Sequence, residues 1–330
     1  MKLPTEFIRL PVRFDIERLR QEVSAFTESD WRGHPSGHPG NSAIPLITVG
    51  GTDNDRVGGA MLPTPHLARC PYIRQILAQF GVVWSRTRLM RLAPGAIVPE
   101  HSDINYHWFH RVRIHIPVLT RPEVIFHCGE RSVHMAAGEA WIFDNWRAHR
   151  VENGSSETRV HLVADTTGNA QFWQLAGRAA AEPQLVPFDP QTAAPVVLER
   201  VNVMRVMHPS ELDVLVADLR RDLATATDTP EDRRALARVH ALLEALCHEW
   251  RALWTVYADE PAGWSQYETV RDFVRREFET IDRPIAMRSN NVLLRNVLIA
   301  RVLNHAVSRP DAAVAEREYL DGRRANPSQL

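Results

Sequence analysis

The sequence predicts an α+β protein, in which a β-rich half of the sandwich or jelly-roll type is followed by a helical domain. Residues 1 to about 170 alternate short β-like runs with turn formers such as "APGA", "AAGE" and "ENGSSE", a pattern typical of sandwiches and jelly rolls. Beyond residue 208 the apolar residues recur at helical spacing. A parallel α/β fold would need helical patterns between the strands, and the first half of the sequence lacks them.

The elements of the first half can be assigned in chain order. The segment "ERLRQEVSAF" predicts an N-terminal helix over residues 17–26. Strands are predicted where β-branched and aromatic residues form short runs between turn formers. The five strands predicted in this way cover residues 82–92, 111–119, 123–128, 139–144 and 158–165.

The second half begins after a proline-rich stretch. Residues 183–195 contain four prolines and predict a linker or an extended wrap. Thr229 and Pro230 then open a long helical pattern as N-cap and first helical residue. A bundle of about four helices is predicted at 209–226, 229–257, 264–281 and 291–307. We therefore predict three parts: a first domain over 1–182, a linker over 183–207, and a helical bundle domain of unknown role over 208–330.

Composition excludes several classes of protein. The formal net charge of −1 gives no whole-chain field that would attract nucleic acid or an anionic membrane. No apolar run approaches the length that spans a bilayer. Three widely separated cysteines argue against a disulfide framework and against a cysteine zinc site. The N-terminal segment has no signal-peptide pattern, so we expect a cytoplasmic protein.

Three side chains form a candidate metal site. His101 and Asp103 stand at positions i and i+2 of "EHSD", and alternate side chains of an extended segment share a face. His149 lies just beyond a predicted strand. Two histidines and one carboxylate form the facial triad of non-haem Fe(II) oxygenases. Catalytic zinc sites use the same ligand types, so these residues alone leave both metals open.

Basic residues accompany the metal site and indicate an anionic ligand. On "RVRIHIPVL", Arg113 and His115 share one face, while the aliphatic residues share the other. Arg159 opens the predicted strand that follows His149. An arginine inside a barrel needs an anion, because a buried unpaired charge is costly, and its donor fork suits a carboxylate. A dianionic co-substrate such as 2-oxoglutarate meets this need. The alternative is a structural ion pair with Asp144 or Glu139.

Several motifs resemble those of one family. The segments "RLMRLAPGAIVPEHSD", "RVRIHIPVL", "VHMAAGEAWIFDN", "AHRVEN" and "TRVHLVADTTG" are similar to the aspartyl/asparaginyl β-hydroxylase family of 2-oxoglutarate/Fe(II)-dependent oxygenases, and to its bacterial L-proline cis-hydroxylases in motif order. The resemblance covers roughly residues 80–170 and does not extend to the helical region. It implies a double-stranded β-helix, the cupin-like jelly-roll barrel, for the first domain.

The resemblance also implies roles for individual residues. His101, Asp103 and His149 match the family's metal ligands and catalytic centre; animal peptidyl aspartyl hydroxylases lack the carboxylate that is present here. Arg159 matches the arginine that binds the distal carboxylate of 2-oxoglutarate. The positions expected to contact the co-substrate nearer the metal or to line its pocket are Arg113, His115 and His134. Arg88 matches a pocket arginine for an acidic group on the substrate or co-substrate.

Two further residues are interpreted as substrate contacts from their own context. Trp84 alternates onto the face of Arg88 and is expected either to wall the pocket or to pack in the core. Asn41 lies in the glycine- and proline-rich stretch 31–51, which is expected to be either a loop that closes over substrate or a plain surface loop.

The resemblance implies a dioxygenase that uses Fe(II), 2-oxoglutarate and O2 to hydroxylate an unactivated C–H bond. The expected substrate is a small molecule or is amino-acid-like, either free, peptidyl or bound to a carrier. Two alternatives stay open: a non-catalytic cupin-like binding module, and a zinc-dependent hydrolase or isomerase on a similar barrel. The helical domain is expected to cover the barrel, to recognise a carrier protein or to mediate self-association.

Overall fold

The computed structural model describes residues 1–35, 37–191 and 195–308. The chain divides into two compact units. The barrel unit comprises residues 1–103 and 110–202, and the helical unit comprises residues 104–109 together with the chain from residue 203 onward. The helical unit therefore takes in a short segment that interrupts the barrel unit in the sequence.

The strands of the barrel unit form two sheets. In chain order they are β1 (Phe7–Phe14), β2 (Arg32–Gly33), β3 (Asn41–Val49), β4 (Met61–Pro63), β5 (Trp84–Leu92), β6 (Ile97–His101), β7 (Val112–Leu119), β8 (Val124–Cys128), β9 (Arg131–Val133), β10 (Glu139–Phe143), β11 (His149–Asn153), β12 (Arg159–Thr166) and β13 (Gln184–Val186). Within the described residues, the large sheet has the order β13-β1-β10-β7-β12-β5-β3-β2, with β4 paired to β3, and the small sheet has the order β6-β11-β8-β9. The pairs are antiparallel except for β1 and β13.

Helices occur in both units. They are α1 (Ile16–Ser24), α2 (Pro65–Ala68), α3 (Pro71–Gln79), α4 (Tyr106–Phe109), α5 (Ala170–Ala176), α6 (Pro209–Arg221), α7 (Pro230–Tyr257), α8 (Trp264–Glu279), α9 (Leu294–Val297) and α10 (Asn304–Ala306). A π-helical stretch, Leu298–Leu303, joins α9 to α10. Short 3-10 turns cover Glu28–Asp30 and Pro261–Gly263, and the helical unit also holds the paired strands β14 (Leu223–Thr225) and β15 (Ile285–Met287).

Alternation along the strands separates an aliphatic face from a basic face. Ile114 of β7 and Leu162 of β12 are fully buried in a core that includes residues of α1 and α3. The intervening His115 points the other way, and its ring lies 5.4 Å from that of Phe126 on β8 of the small sheet. The basic face of the large sheet thus faces the small sheet. This arrangement is the predicted double-stranded β-helix, and the helical region beyond it completes the predicted α+β class.

A β-bulge corrects the prediction for Trp84. Thr87 of β5 is opposite Ala164, but Trp84 is opposite Thr166, so β5 has one extra residue between these pairs. One extra residue moves the following side chains to the other face. Trp84 is only 1% exposed, packs in the aliphatic core and donates from Nε1 to the Leu77 carbonyl at 2.8 Å. It is therefore a core residue and does not lie on the face of Arg88.

Much of the stretch predicted as a linker belongs to the barrel unit, which extends to residue 202. Strand β13 pairs with β1, and Leu198 forms a bridge with Trp84. The carboxylate of Glu199 forms an ion pair with the guanidinium of Arg111. Backbone pairing and this ion pair attach these residues to the barrel unit, so of the two predicted alternatives the structure agrees with the extended wrap rather than with the linker. Residues 192–194 of the stretch lie outside the described residues.

The helical unit follows the predicted helical segments at α6, α7, α8 and the run from α9 to α10. Helix α6 ends earlier than predicted, because the following residues form β14. Thr229 caps α7 through a reciprocal capping box with Asp232. Residues 309–330 of the predicted domain lie outside the described residues. Among the helices that the structure describes, none is long and apolar enough to cross a bilayer.

Candidate functional site

The structure brings His101, Asp103 and His149 together at one end of the small sheet. His101 ends β6 and His149 begins β11, and the two residues are direct partners across this antiparallel pair. Their ring centroids are 4.3 Å apart. One potential ligand atom from each of the three side chains lies within 4.8 Å of the others. Asp103 and His149 are each only 3% exposed, and His101 is half-buried.

Backbone carbonyls orient both imidazoles. Nδ1 of His101 lies 2.8 Å from the Pro99 carbonyl oxygen, and Nδ1 of His149 lies 2.9 Å from the Arg147 carbonyl oxygen. A carbonyl oxygen only accepts, so each Nδ1 carries the proton and each Nε2 keeps its lone pair. Metal-binding histidines in proteins have this arrangement. The two Nε2 atoms and the Asp103 carboxylate are therefore a donor set that fits a divalent metal such as Fe(II) or Zn(II).

Arg159 is a buried cation whose guanidinium meets a histidine. It opens β12 and is 5% exposed, and its Nη2 lies 2.8 Å from Nδ1 of His161. Among the described residues, no carboxylate lies within ion-pairing distance of this guanidinium. Burial lowers the pKa of Arg159 to about 9. Glu139 pairs with Arg9 and Asp144 with Arg147, so neither of the two proposed structural partners is used.

A comparison of sequences with known families adds to this geometry. Residues 16–168 match the model of a family described as aspartyl/asparaginyl β-hydroxylase. This match, which covers most of the barrel unit, bears out the predicted resemblance to the family and supports the prediction of a hydroxylase. No curated protein sequence matches the chain.

Solved structures similar to this chain share little sequence with it. A 2OG-Fe(II) oxygenase family oxidoreductase from Burkholderia pseudomallei is 15% identical over 47% of this chain and 78% of its own, with a TM-score of 0.34. A prolyl-4-hydroxylase from Pseudomonas putida is 11% identical over 51% and 95%, with a TM-score of 0.33. HygX from Streptomyces hygroscopicus, solved with nickel and 2-oxoglutarate bound, is 12% identical over 50% and 84%, with a TM-score of 0.36.

Other residues predicted to bind the co-substrate lie on the inner face of the barrel, but they differ in their partners. Arg113 forms an ion pair with Asp165 at 3.1 Å, and its Nη1 lies 3.7 Å from the Asp103 carboxylate. His115 is buried against Phe126, and burial followed by the charge of Arg159 lowers its pKa well below the usual range, so its ring is neutral. Arg113 thus steadies the carboxylate of the candidate metal site.

His134 and Asn41 belong to different parts of the barrel unit: His134 follows a strand of the small sheet, and Asn41 lies in the large sheet. His134 follows β9, is half-buried and has Nδ1 3.1 Å from the Val124 carbonyl oxygen. Asn41 begins β3 and is opposite Leu92, which in turn is opposite Arg159. Residues that are opposite each other in a sheet share a face, so Asn41 lies on the face of the buried arginine. Asn41 is only 8% exposed and lies in a strand, so it is not at the tip of a surface loop.

Arg88 belongs to an arginine cluster around one loop aspartate. Its Nη1 lies 3.5 Å from the Asp55 carboxylate, which also pairs with Arg32 at 2.9 Å. Arg86 donates to the Asp55 backbone carbonyl at 3.0 Å. Burial, and then the charges of Arg86 and Arg113, lower the pKa of Arg88 well below its ordinary value. A local sequence pattern does not mark Asp55, because its partners come from separate strands.

Proposed function

We propose that this protein is an Fe(II)- and 2-oxoglutarate-dependent dioxygenase that hydroxylates an unactivated C–H bond of an amino-acid-like substrate, whether free, peptidyl or carrier-bound. One observation carries the proposal: a fully formed His-Asp-His donor set lies in the same barrel as a buried arginine that has no carboxylate partner among the described residues. A metal-chelating dianion satisfies both features at once, because one end can reach a metal and the other a guanidinium.

A continuous row of side chains connects the two features. The ring of His149 lies 4.9 Å from that of Phe143, which lies 5.5 Å from His115. His115 lies 5.7 Å from His161, whose Nδ1 meets Arg159 at 2.8 Å. This row forms one wall of the interior between the two sheets. This row supports the proposal, because an extended five-carbon diacid beside it could reach from a metal at His149 to the guanidinium of Arg159.

Each residue then has a task. His101, Asp103 and His149 would hold Fe(II), and the guanidinium of Arg159 would bind the distal carboxylate of 2-oxoglutarate. The bound ion and co-substrate supply the oxidation of a C–H bond by O2, with succinate and CO2 as co-products. The phenyl rings of Phe126 and Phe143 exclude water beside His149, to which they lie at 6.2 and 4.9 Å.

The arginine cluster supports an anionic group on the substrate. Arg32, Arg86 and Arg88 converge on Asp55, whose carboxylate and backbone carbonyl both serve as acceptors. A substrate carboxylate that competes with Asp55 would find the same donors. An α-amino acid, or a peptide or carrier-bound derivative with an acidic group, has the charge that such a cluster recognises.

Succinate release tests the proposal. Purified protein given Fe(II), 2-oxoglutarate and O2 should produce succinate, and the right amino acid among a screen of the twenty should accelerate it. His101→Ala should abolish this turnover. His127→Ala is the matched control, because His127 lies in the same sheet and bonds Ser132 on the outer face. Full turnover in the His101 variant would contradict the proposal.

A zinc-dependent hydrolase is the second candidate, since the same donor set fits zinc. N-Oxalylglycine, which mimics 2-oxoglutarate, separates the two. It should inhibit the oxygenase by competing at Arg159, and it should leave a zinc hydrolase unaffected.

A further inference from the structure

The six residues after Asp103 belong to the helical unit rather than to the barrel unit. The chain leaves the barrel unit after Asp103 and returns to it at His110. Between these points, Ile104–Phe109 include the short helix α4. The candidate metal carboxylate is thus followed immediately in the chain by a segment whose packing partners come from the far C-terminal part of the sequence.

Arg301 holds both ends of this segment. Its side chain is only 3% exposed, and its Nε lies 3.4 Å from the Ile104 carbonyl oxygen. Its guanidinium carbon lies 5.1 Å from the centre of the Phe109 ring, and its Nη1 lies 3.1 Å from the Asp218 carboxylate. Arg301 itself stands in the π-helical stretch Leu298–Leu303, a rare backbone form that occurs frequently at functional sites.

His305 holds the middle of the segment. Its Nε2 lies 3.3 Å from Nδ2 of Asn105, and its ring lies 5.1 Å from that of Tyr106. Burial lowers the pKa of His305 to about 4, so at neutral pH the ring is uncharged and can accept from the Asn105 amide. Oxygen Oδ1 of Asn105 accepts from the His107 amide at 2.8 Å, which closes the turn into α4.

We propose that Arg301 and His305 are positioning residues for Asp103, and that the helical unit serves to fix the carboxylate that completes the metal site. The proposal rests on the proposed function, because it takes Asp103 as a metal ligand. A carboxylate whose following residue is anchored by a buried guanidinium loses conformational freedom before the metal arrives, and outer-shell support of this kind contributes to metal affinity. It gives a role to a helical region that the sequence left without one.

The test measures metal affinity rather than turnover. Co(II) alone is titrated into the full-length protein and followed by visible absorption. Arg301→Met keeps an apolar stem against Phe109 but removes the bonds to Ile104 and Asp218, and it should weaken Co(II) binding about 10-fold or more. His305→Phe keeps the ring stacked on Tyr106 but loses the Asn105 bond, and it should weaken binding in the same direction.

Two controls separate positioning from general loss of stability. Arg238→Met removes an exposed ion pair with Glu277 in the same unit. Leu243→Ala removes a buried side chain of helix α7 from the core of that unit and leaves Ile104–Phe109 unchanged. Both should leave Co(II) affinity unchanged. Folded Arg301→Met or His305→Phe protein with unchanged affinity would overturn the proposal, as would an equal loss of affinity in Leu243→Ala.

Asp103→Ala distinguishes this proposal from the proposed function. If removal of the carboxylate leaves Co(II) affinity unchanged, Asp103 is not a metal ligand and both proposals fail. If Asp103→Ala weakens binding while Arg301→Met and His305→Phe do not, only the role assigned to the helical unit fails.

Discussion

Replacing Arg159 by methionine should stabilise the protein without its co-substrate and abolish co-substrate binding. Burial lowers the pKa of this guanidinium to about 9, far below the ordinary value of arginine. At 1.36 kcal/mol for each pH unit, the difference corresponds to about 5 kcal/mol by which burial disfavours the charged form. Methionine fills a similar volume without a charge. We therefore expect Arg159→Met to raise the free energy of unfolding by about 1–3 kcal/mol in the absence of 2-oxoglutarate.

The order of stability should reverse when 2-oxoglutarate is added. With Fe(II) present anaerobically, a ligand at 100 times its Kd stabilises the wild-type protein by about 2.7 kcal/mol. The variant lacks the cation proposed to bind the distal carboxylate and should gain much less. Urea unfolding, monitored by circular dichroism, measures the free energy of unfolding of the wild type and of the variant, each with and without 2-oxoglutarate.

The control for this experiment is Arg121→Met, which removes an exposed arginine paired with Glu157 on the barrel surface. Its response to 2-oxoglutarate should equal that of the wild-type protein. The reasoning is refuted if Arg159→Met is less stable than the wild type without 2-oxoglutarate and gains as much as the wild type when the diacid is added.

Three further predictions concern residues that are not candidate metal ligands. Burial lowers the pKa of His305 from 6.5 to about 4, so between these values the unfolded chain binds more protons than the folded one and stability falls as pH falls. From pH 7.5 to pH 5, His305 should contribute about 2 kcal/mol to this loss. Urea unfolding should therefore show a loss that is smaller by about this amount in His305→Phe than in the wild type, because His115 and His161 keep their own contributions; an equal loss in the two proteins would contradict the assignment. Trp84→Ala should lower the free energy of unfolding by about 3–5 kcal/mol. Its affinity for 2-oxoglutarate, measured by calorimetry, should be unchanged; a large loss of affinity would show that Trp84 contributes to the binding pocket. Asp165→Asn removes the charge that pairs with Arg113 and should lower the free energy of unfolding by about 3–5 kcal/mol, whereas an unchanged urea midpoint would show that the pair contributes nothing.

Local patterns predicted five of the thirteen strands that the described residues of the barrel unit form. Residues 82–92, 111–119, 123–128, 139–144 and 158–165 correspond to β5, β7, β8, β10 and β12, each within about two residues. Alternation and turn formers act over a few residues, so they can be read from the sequence. Strands β1 and β3 are the longest of those that were not predicted. Both contain a proline, Pro11 in β1 and Pro45 in β3, and proline lowers the strand signal although bulges accommodate it.

The site was predictable where neighbours in sequence are neighbours in space. His101 and Asp103 are two residues apart, and Arg113 and His115 share a face by alternation. Asp55 and Asp165 were missed as partners of the arginines, because only the folded sheets bring them together. The bulge that turns Trp84 into the core has no local signature, and the attachment of Ile104 to Arg301 joins residues that are 197 positions apart.

A crystal structure grown anaerobically with Fe(II) and 2-oxoglutarate would test the central claim most directly. Anomalous scattering at the iron edge should locate one ion bound to Nε2 of His101, Nε2 of His149 and the Asp103 carboxylate. The distal carboxylate of the co-substrate should accept two hydrogen bonds from the guanidinium of Arg159. Iron bound elsewhere, or a diacid that leaves Arg159 without an anion, would contradict the account.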